Sequence, residues 1–314
     1  MKKVFCIGEL LIDFVAEKQG NDLSKAVEFT KKAGGAPANV SCAISRLGGQ
    51  SAFIGCVGHD PFGKFLLDVL IDNGVDCSLV QRSDTFTTLA FVSLAEDGER
   101  DFVFSRGADM ELQYDPEVKK EFKGNMIHFG AATALLGGPL EKAYGHYYFD
   151  ALTQDIFISF DPNYRGDLWK NKAEKFVMKC LPYIEKAHLC KFSLEEAQLI
   201  SGKDDLEEAC SAIHEMGARI IAVTLGKDGT FLSSSGHTIT VPSVPVTPVD
   251  TTGAGDAFIG CLLFQISQLE KPTTLSQDFP LLQKMVATAN KAGAITTTNY
   301  GAIESLPDLN ALNT

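Results

Sequence analysis

The chain has 314 residues, 45% of them hydrophobic, and a formal net charge of −12. That length suits one large α/β domain or two smaller ones, and the apolar content supplies a core and excludes wholesale disorder. An acidic balance without a block of basic residues argues against general nucleic-acid or anionic-membrane binding, yet leaves room for a nucleotide held by local backbone amides.

Residues 4–8 read as a buried strand and 38–47 as a helix, with Val40, Ala43, Ile44 and Leu47 on one stripe and Gly48 as its stop. Residues 51–55 are strand-like, and Phe62, Leu66, Val69 and Leu70 mark a second helix. Further strands are expected at 126–129, 156–161, 188–192 and 219–225. Helices fit 139–152, 172–184, 194–201, 206–216, 256–268 and 281–294. This alternation predicts an α/β fold with a mostly parallel central sheet, helices on both faces, and ligands at the carboxyl ends of the strands.

Two regions break the pattern. Residues 88–95 and 100–105 alternate apolar and polar around Glu96-Asp97-Gly98-Glu99, a hairpin signal, and residues 9–33 also carry strand-like alternation. Together they suggest a small antiparallel sheet acting as a lid or dimer surface; the alternative is an edge hairpin of the main sheet. We read 1–314 as one domain with a lid, formed by about 14–33 and 86–107, inserted within it. A further hairpin is expected over 230–241, turning near Ser235-Gly236.

The eight cysteines are scattered with no C-x-x-C pair, as expected for reduced thiols of a cytoplasmic protein, and the six histidines show no metal-ligand spacing. The apolar stretch after Met1-Lys2-Lys3 is interrupted by Glu9 and Asp13 too early for a signal peptide, and no run is long enough to span a membrane.

Val249-Asp250-Thr251-Thr252-Gly253-Ala254-Gly255-Asp256-Ala257-Phe258 is the most informative stretch. Glycines directly before an apolar helix can turn backbone N–H groups toward one anion, and the helix end adds partial positive charge. A phosphate guest would repel Asp256, so this carboxylate reads as a base for an attacking hydroxyl; a plain helix cap is the alternative. Two commoner phosphate motifs fail. Gly58 to Phe65 resembles a P-loop, but Phe65 stands where a hydroxyl is required, and Phe258 occupies the third glycine position of a dinucleotide fingerprint.

Other polar turns fall at predicted strand ends. Gly34 and Gly35 permit close approach to a ligand, and the Asn39 amide suits neighbouring hydroxyls, although Pro37 could simply open a helix. Asp161-Pro162-Asn163-Tyr164-Arg165 offers a guanidinium for a transferring phosphoryl group, against a surface salt bridge. In Lys191-Phe192-Ser193-Leu194-Glu195-Glu196, either glutamate could complement a helix dipole or hold magnesium through water. Thr224-Leu225-Gly226-Lys227-Asp228-Gly229 fits a nucleotide across its backbone or a turn equally well. Their shared location points to one cleft.

These residues resemble the ribokinase-like (phosphofructokinase-B type) carbohydrate kinase family over nearly the whole chain. Gly34-Gly35 with Asn39 and Leu47-Gly48-Gly49 looks like its N-terminal signature, and 250–258 like its C-terminal one. Gly8-Glu9-Leu10-Leu11-Ile12-Asp13 and Asp161-Pro162-Asn163-Tyr164-Arg165 look most like the fructokinase branch. The resemblance implies transfer of the ATP γ-phosphate to the primary 6-hydroxyl of D-fructose, giving fructose 6-phosphate and ADP. It makes Asp256 the general base, with Gly253, Ala254 and Gly255 as anion hole and Arg165 in support. Asp13, Gly34, Gly35, Asn39 and Arg165 would hold the sugar; Thr224, Gly226 and Gly229 would line the nucleotide, with Asn290 near the adenine. Glu196 matches the acidic end of an Asn-x-x-Glu magnesium motif, with Ser193 replacing the asparagine, and Asp250 and Thr252 match positions that bind potassium in some members. A 2-keto-3-deoxygluconate kinase, whose substrate carboxylate Arg106 could meet, a ribokinase and an inactive sugar sensor are the alternatives. The partners implied are a small sugar and ATP, with a lid-mediated homodimer as a further expectation.

Overall fold

The computed structural model describes residues 1–17, 20, 22–94 and 100–313. In chain order its strands are β1 Val4–Ile7, β2 Leu11–Ala16, β3 Phe29–Gly34, β4 Ser51–Ile54, β5 Cys56–Gly58, β6 Gln81–Ser83 and β7 Leu89–Leu94. They continue as β8 Arg100–Ser105, β9 Met126–Gly130, β10 Phe157–Asp161, β11 Leu189–Ser193, β12 Ile220–Thr224, β13 Thr230–Ser234 and β14 His237–Val241. The helices are α1 Ala36–Arg46, α2 Pro61–Asp72, α3 Gly138–Thr153, α4 Gly166–Trp169 and α5 Ala173–Lys186. After these come α6 Leu194–Ser201, α7 Leu206–Glu215, α8 Ala254–Ser267, α9 Phe279–Thr296 and α10 Leu309–Asn313.

The main sheet has the order β14-β13-β12-β11-β10-β9-β1-β4. The run from β4 to β12 is parallel, and the β13–β14 hairpin closes one edge antiparallel. Strands buried on both faces need apolar side chains at every position, and β1 shows why. Val4 and Cys6 join the core that contains α1, α8 and α9, while Phe5 and Ile7 join the opposite core with α3 and α5. The expected α/β architecture with helices on both faces is present. The hairpin over 230–241 turns as read, with Ser235 and Gly236 at φ 50° and 78°.

The two pattern-breaking regions meet in a separate four-stranded sheet of order β3-β2-β7-β8. The expected β7–β8 hairpin strands pair antiparallel, the strand-like 9–33 segment forms a second antiparallel pair, β2–β3, and a parallel β2–β7 ladder joins them. The expected turn at residues 96–99 lies outside the described residues, as do residues 18, 19 and 21. One face of this sheet packs Phe14 and Phe91 toward Phe62 of α2. Phe102 and Phe104 of β8 instead look into the main cleft. The P-loop look-alike is an ordinary helix start: the Asp60 carboxylate accepts from the Phe62 and Gly63 amides at 2.9 Å each, with Pro61 opening α2. The parallel β5–β6 ladder was not expected; three-residue strands carry too short an alternation to read.

Candidate active site

A cleft of about 460 Å³ opens at the carboxyl ends of β1, β10 and β11, beneath the small sheet, within the usual range for a small-molecule site. Its wall includes Asp13, Gly35, Asn39, Arg165, Glu196, Thr252, Gly253, Gly255 and Asp256. Asp13 and Asp256, 243 positions apart, thus converge on one cleft, as the strand-end turns implied.

Asp256 lies in the first turn of α8. That helix begins at Gly253, whose φ of 79° puts it in the left-handed region, and a side chain there would come within 2.6 Å of the Ala302 Cβ. The N-cap supplies no side chain to the first amides of α8, so this helix end is left for another acceptor. Asn39, one turn into α1, donates from Nδ2 to the Asp256 Oδ2 at 2.8 Å, while its own buried Oδ1 has no hydrogen-bond partner. Burial holds the Asp256 carboxyl above the usual carboxylate range; the Asn39 bond and the Lys191 charge oppose this, Asp161 adds to it, and Arg165 opposes it.

Glycine is required at the Gly34-Gly35 turn for steric reasons. A side chain at Gly34 would strike the Asp13 carboxylate at 2.0 Å. At Gly35, with φ 109°, it would meet the Glu9 carbonyl oxygen at 2.4 Å. The turn therefore presses backbone against β2, and leaves the cleft side open.

Asp161 and Arg165 come from one tight turn after β10. Asn163 takes a left-handed φ of 49°, and its amide donates to the Asp161 carboxylate at 3.2 Å. Arg165 is exposed at the cleft wall, with one guanidinium nitrogen bonded to the Tyr164 carbonyl. Glu196 anchors this turn: its two carboxylate oxygens accept from the Tyr164 amide at 2.6 Å and the Ser193 amide at 2.7 Å. Ser193 completes a capping box at the start of α6. Serine in place of asparagine thus has a structural task here. Glu195, next to it, is exposed on the cleft wall.

Two site residues went unassigned in the sequence. Lys191 is buried in the middle of β11, and its ammonium bonds the Asp161 carboxylate at 3.0 Å. A side chain placed on Gly255 would lie 3.1 Å from that ammonium, so the charge sits under the first turn of α8. Burial alone would lower the Lys191 pKa, but Asp161, Glu196 and Asp256 outweigh it and raise it. Glu9, at the end of β1, is the second. The available signal was a charge inside or directly after an apolar strand with both faces covered, where it needs a partner.

Some expected site residues are engaged differently. Arg106 is not among the cleft-lining residues; its Nε and Nη2 donate to the buried Asp109 carboxylate at 3.2 and 2.7 Å. Asn290 accepts from Thr230 at 2.6 Å and donates to the Val241 carbonyl at 2.8 Å, which pins β13 and β14 to α9. Thr224 pairs in register with the cleft residue Ser193, one strand further out. Gly226 and Gly229 form the turn beyond it, at φ 59° and 100°. The Asp250 carboxylate organises its own loop, accepting from the Thr252 amide and hydroxyl at 2.9 and 2.6 Å and from the Gly301 amide at 3.0 Å. Among the described residues, no group of three acidic, His or Cys side chains could hold a metal, and no helix is long and apolar enough to cross a membrane.

Comparison with known proteins gives this geometry its context. Fructokinase-1 of Zea mays is 41% identical over 310 residues, covering 97% of this chain and 94% of its own. A fructokinase double mutant of Vibrio cholerae, solved with fructose, ADP and potassium bound, superposes with a TM-score of 0.86 at 31% identity, covering 100% of this chain and 97% of its own. A fructokinase of Xylella fastidiosa with bound ATP gives 0.88 at 28% identity, covering 99% and 97%. The pfkB family carbohydrate kinase model matches residues 1–309, and the chain belongs to that family.

Proposed function

We propose that this protein is an ATP-dependent fructokinase that transfers the γ-phosphate to the 6-hydroxyl of D-fructose. One observation carries the reading: the Asp256 carboxylate, held by Asn39 at 2.8 Å, stands at the uncapped start of α8 inside a cleft of small-molecule size. The orphan Asn39 Oδ1 supports a ligand that brings hydroxyl donors. The fructose and ADP held by the Vibrio cholerae relative support the choice of sugar and nucleotide.

In this mechanism Asp13, the Gly34-Gly35 turn and Asn39 hold the sugar with its primary hydroxyl toward Asp256. Asp256 takes the proton as the hydroxyl oxygen bonds to the γ-phosphorus and the bond to the ADP oxygen breaks. The amides of Gly253, Ala254 and Gly255, with Lys191 below and Arg165 above, balance charge on the phosphoryl oxygens. Phe102 and Phe104 of the lid exclude water that would otherwise attack ATP. Thr224, Gly226 and Gly229 lie along the nucleotide, and Asn290 supports that wall.

The donor set suits magnesium bound mainly by phosphates and water, with Glu195 and Glu196 as outer carboxylates; the ion would neutralise phosphate charge. The loop of Asp250 and Thr252, tied to Gly301, is our candidate for a potassium site, in line with the ion in the Vibrio cholerae relative. We take the unit to be one kinase domain over 1–314 with its lid at about 14–33 and 86–107. Exposed Val27, Phe86 and Val103 on the lid and its base support a homodimer through that region. The free state of all eight cysteines supports a cytoplasmic setting.

The test is ADP release with Mg-ATP across fructose, ribose, 2-keto-3-deoxygluconate, mannose, glucose and adenosine, with a sugar-free blank. Fructose should dominate. Turnover confined to another sugar overturns the specificity, and no turnover with potassium supplied overturns the kinase reading in favour of a sugar sensor.

A further inference from the structure

Two buried acids take no part in the chemistry above. Glu9 and Asp109 are each only 1% exposed. Glu9 forms part of the cleft floor, and its Oε1 accepts from the amide of Ala36, the first residue of α1, at 3.2 Å. One turn further along that helix is Asn39, which orients Asp256. The other Glu9 oxygen stands 3.5 Å from the Thr133 hydroxyl, which lies 2.9 Å from the Asp109 Oδ2.

Asp109 in turn holds both roots of the β7–β8 hairpin. Thr88, directly before β7, donates to its Oδ1, and Arg106, directly after β8, donates to its Oδ2. The Gly107 amide closes the knot on the Thr88 hydroxyl at 2.8 Å. A continuous chain of polar contacts therefore runs from the lid roots through Asp109, Thr133 and Glu9 to the start of α1.

We propose that Glu9 is a positioning residue for phosphoryl transfer, coupling the roots of the lid to the helix that carries the sugar turn and orients Asp256, and that its protonated form holds the lid closed. The proposal rests on the kinase reading for its consequences in catalysis, but its core is a statement about the lid.

The Thr133 hydroxyl has one proton and two acceptor positions. With Glu9 protonated, the acid donates to Thr133 and Thr133 donates to Asp109, so every group is satisfied. With Glu9 ionised, its oxygens keep the Ala36 and Thr133 amides, but two buried carboxylates share one hydroxyl proton, and opening the lid roots to water relieves their repulsion. Burial, together with the charge of Asp109, pushes the Glu9 carboxyl up to about 7 against the lowering by its backbone bonds, so the switch lies in the neutral range. The titratable or charged groups around it are Asp109 and Arg106 beyond Thr133, and the buried Tyr144 phenol of α3, whose pKa is raised by burial. Asp13, Lys191 with Asp161, and Asp256 lie elsewhere along the cleft.

Glu9→Gln tests this, because glutamine keeps an acceptor for the Ala36 amide and a donor for Thr133 at every pH. Amide protection factors, corrected for the chemical exchange rate, are measured over strands β7 and β8 in sugar-free protein between pH 6 and 8.5. The fructose KM and kcat are followed over the same range. In the wild type, protection should fall and KM rise by about fivefold or more across the range, with kcat moving less. In Glu9→Gln both dependences should flatten at the acid-side values. Thr133→Val, which cuts the chain of contacts, should show weak lid protection already at pH 6. A Glu9→Gln protein that keeps the wild-type pH dependence, or a Thr133→Val protein with full protection at pH 6, overturns the proposal. Should fructose not be a substrate at all, the function reading fails while the exchange comparison still decides the role of Glu9.

Discussion

Two glycine-led turns deliver helices to the same cleft, and they differ in what waits at the helix start. At α1, Gly35 leads into an end whose first amide is met by the chain's own Glu9 carboxylate. At α8, Gly253 leads into an end without a side-chain cap, beneath which sits the cationic Lys191. A free helix N-terminus calls for an acceptor, and at α1 the Glu9 carboxyl already fills that place. A buried cation under a second positive helix end is the reverse, balanced in the free protein by Asp161 and Asp256 and best satisfied by an arriving anion. The two helices pack directly together, so closely that a side chain at Gly260 of α8 would strike Ala43 of α1 at 2.5 Å. One start is therefore a fixed bracket closed by the chain itself, and the other an open seat suited to an anion, held in register by a shared interface.

The largest test of that contrast is at the open seat. Asp256→Asn should lower kcat on the order of 10²–10⁴-fold while leaving binding of fructose and ATP largely intact. Equal loss of binding and turnover would make Asp256 part of the bracket. The stability change has the opposite sign. The folded pKa of Asp256 lies above the unfolded one, so its ionisation costs stability as pH rises through the folded value. Removing the charge should leave the melting temperature at neutral pH unchanged or higher. Wild-type kcat/KM should also fall on the acid side with a midpoint above the ordinary carboxylate range, a limb that Asp256→Asn removes.

Lys191→Met is the next largest perturbation. It leaves the Asp161 carboxylate, 1% exposed, buried without its cation, which costs about 3–5 kcal/mol of folding stability in comparable sites. Urea denaturation should show this loss in both ligand-free and fructose-bound protein, whereas added ADP should restore less stability than it gives the wild type, because the phosphate seat has lost its charge. Full stabilisation by ADP would mean that Lys191 serves the Asp161 turn alone.

How far these features were legible in the sequence follows from how local each cause is. The glycines of both turns, Asn39 and Asp256 stand in short segments whose chemistry is contained within a few residues, and the alternation of strands with helices placed them at one sheet edge. The small sheet was legible in part: its strands showed in their alternation, but the parallel β2–β7 ladder depends on residues 12 and 89 meeting, which no local pattern encodes. Lys191 and Glu9 were missed because each looks like an interruption of an apolar run until its partners, Asp161 and Ala36, arrive from elsewhere in the chain. Arg106 and Asn290 show the converse. Their residue types fit ligand roles, yet Asp109 and the 241–242 carbonyls had already engaged them.

The smallest effect is expected at the small sheet, which offers the cleft apolar rings alone. Phe102 and Phe104 alternate with the outward Val103, which is 51% exposed, so among the described side chains of β8 these two phenyl rings face the cleft. Phe104→Ala removes one ring from that roof without touching either helix start. The fructose KM should rise about threefold to tenfold, the scale of one partly withdrawn apolar contact, and kcat should change less. The sharper readout is ADP formed in excess of sugar phosphate, since a gap in the roof admits water to the γ-phosphate beside a base that is still in place. An elevated ratio with a modest KM change assigns water exclusion to the lid. An unchanged ratio would mean that the seat at α8 is already protected without the roof, and that the phenyl rings act on the sugar alone.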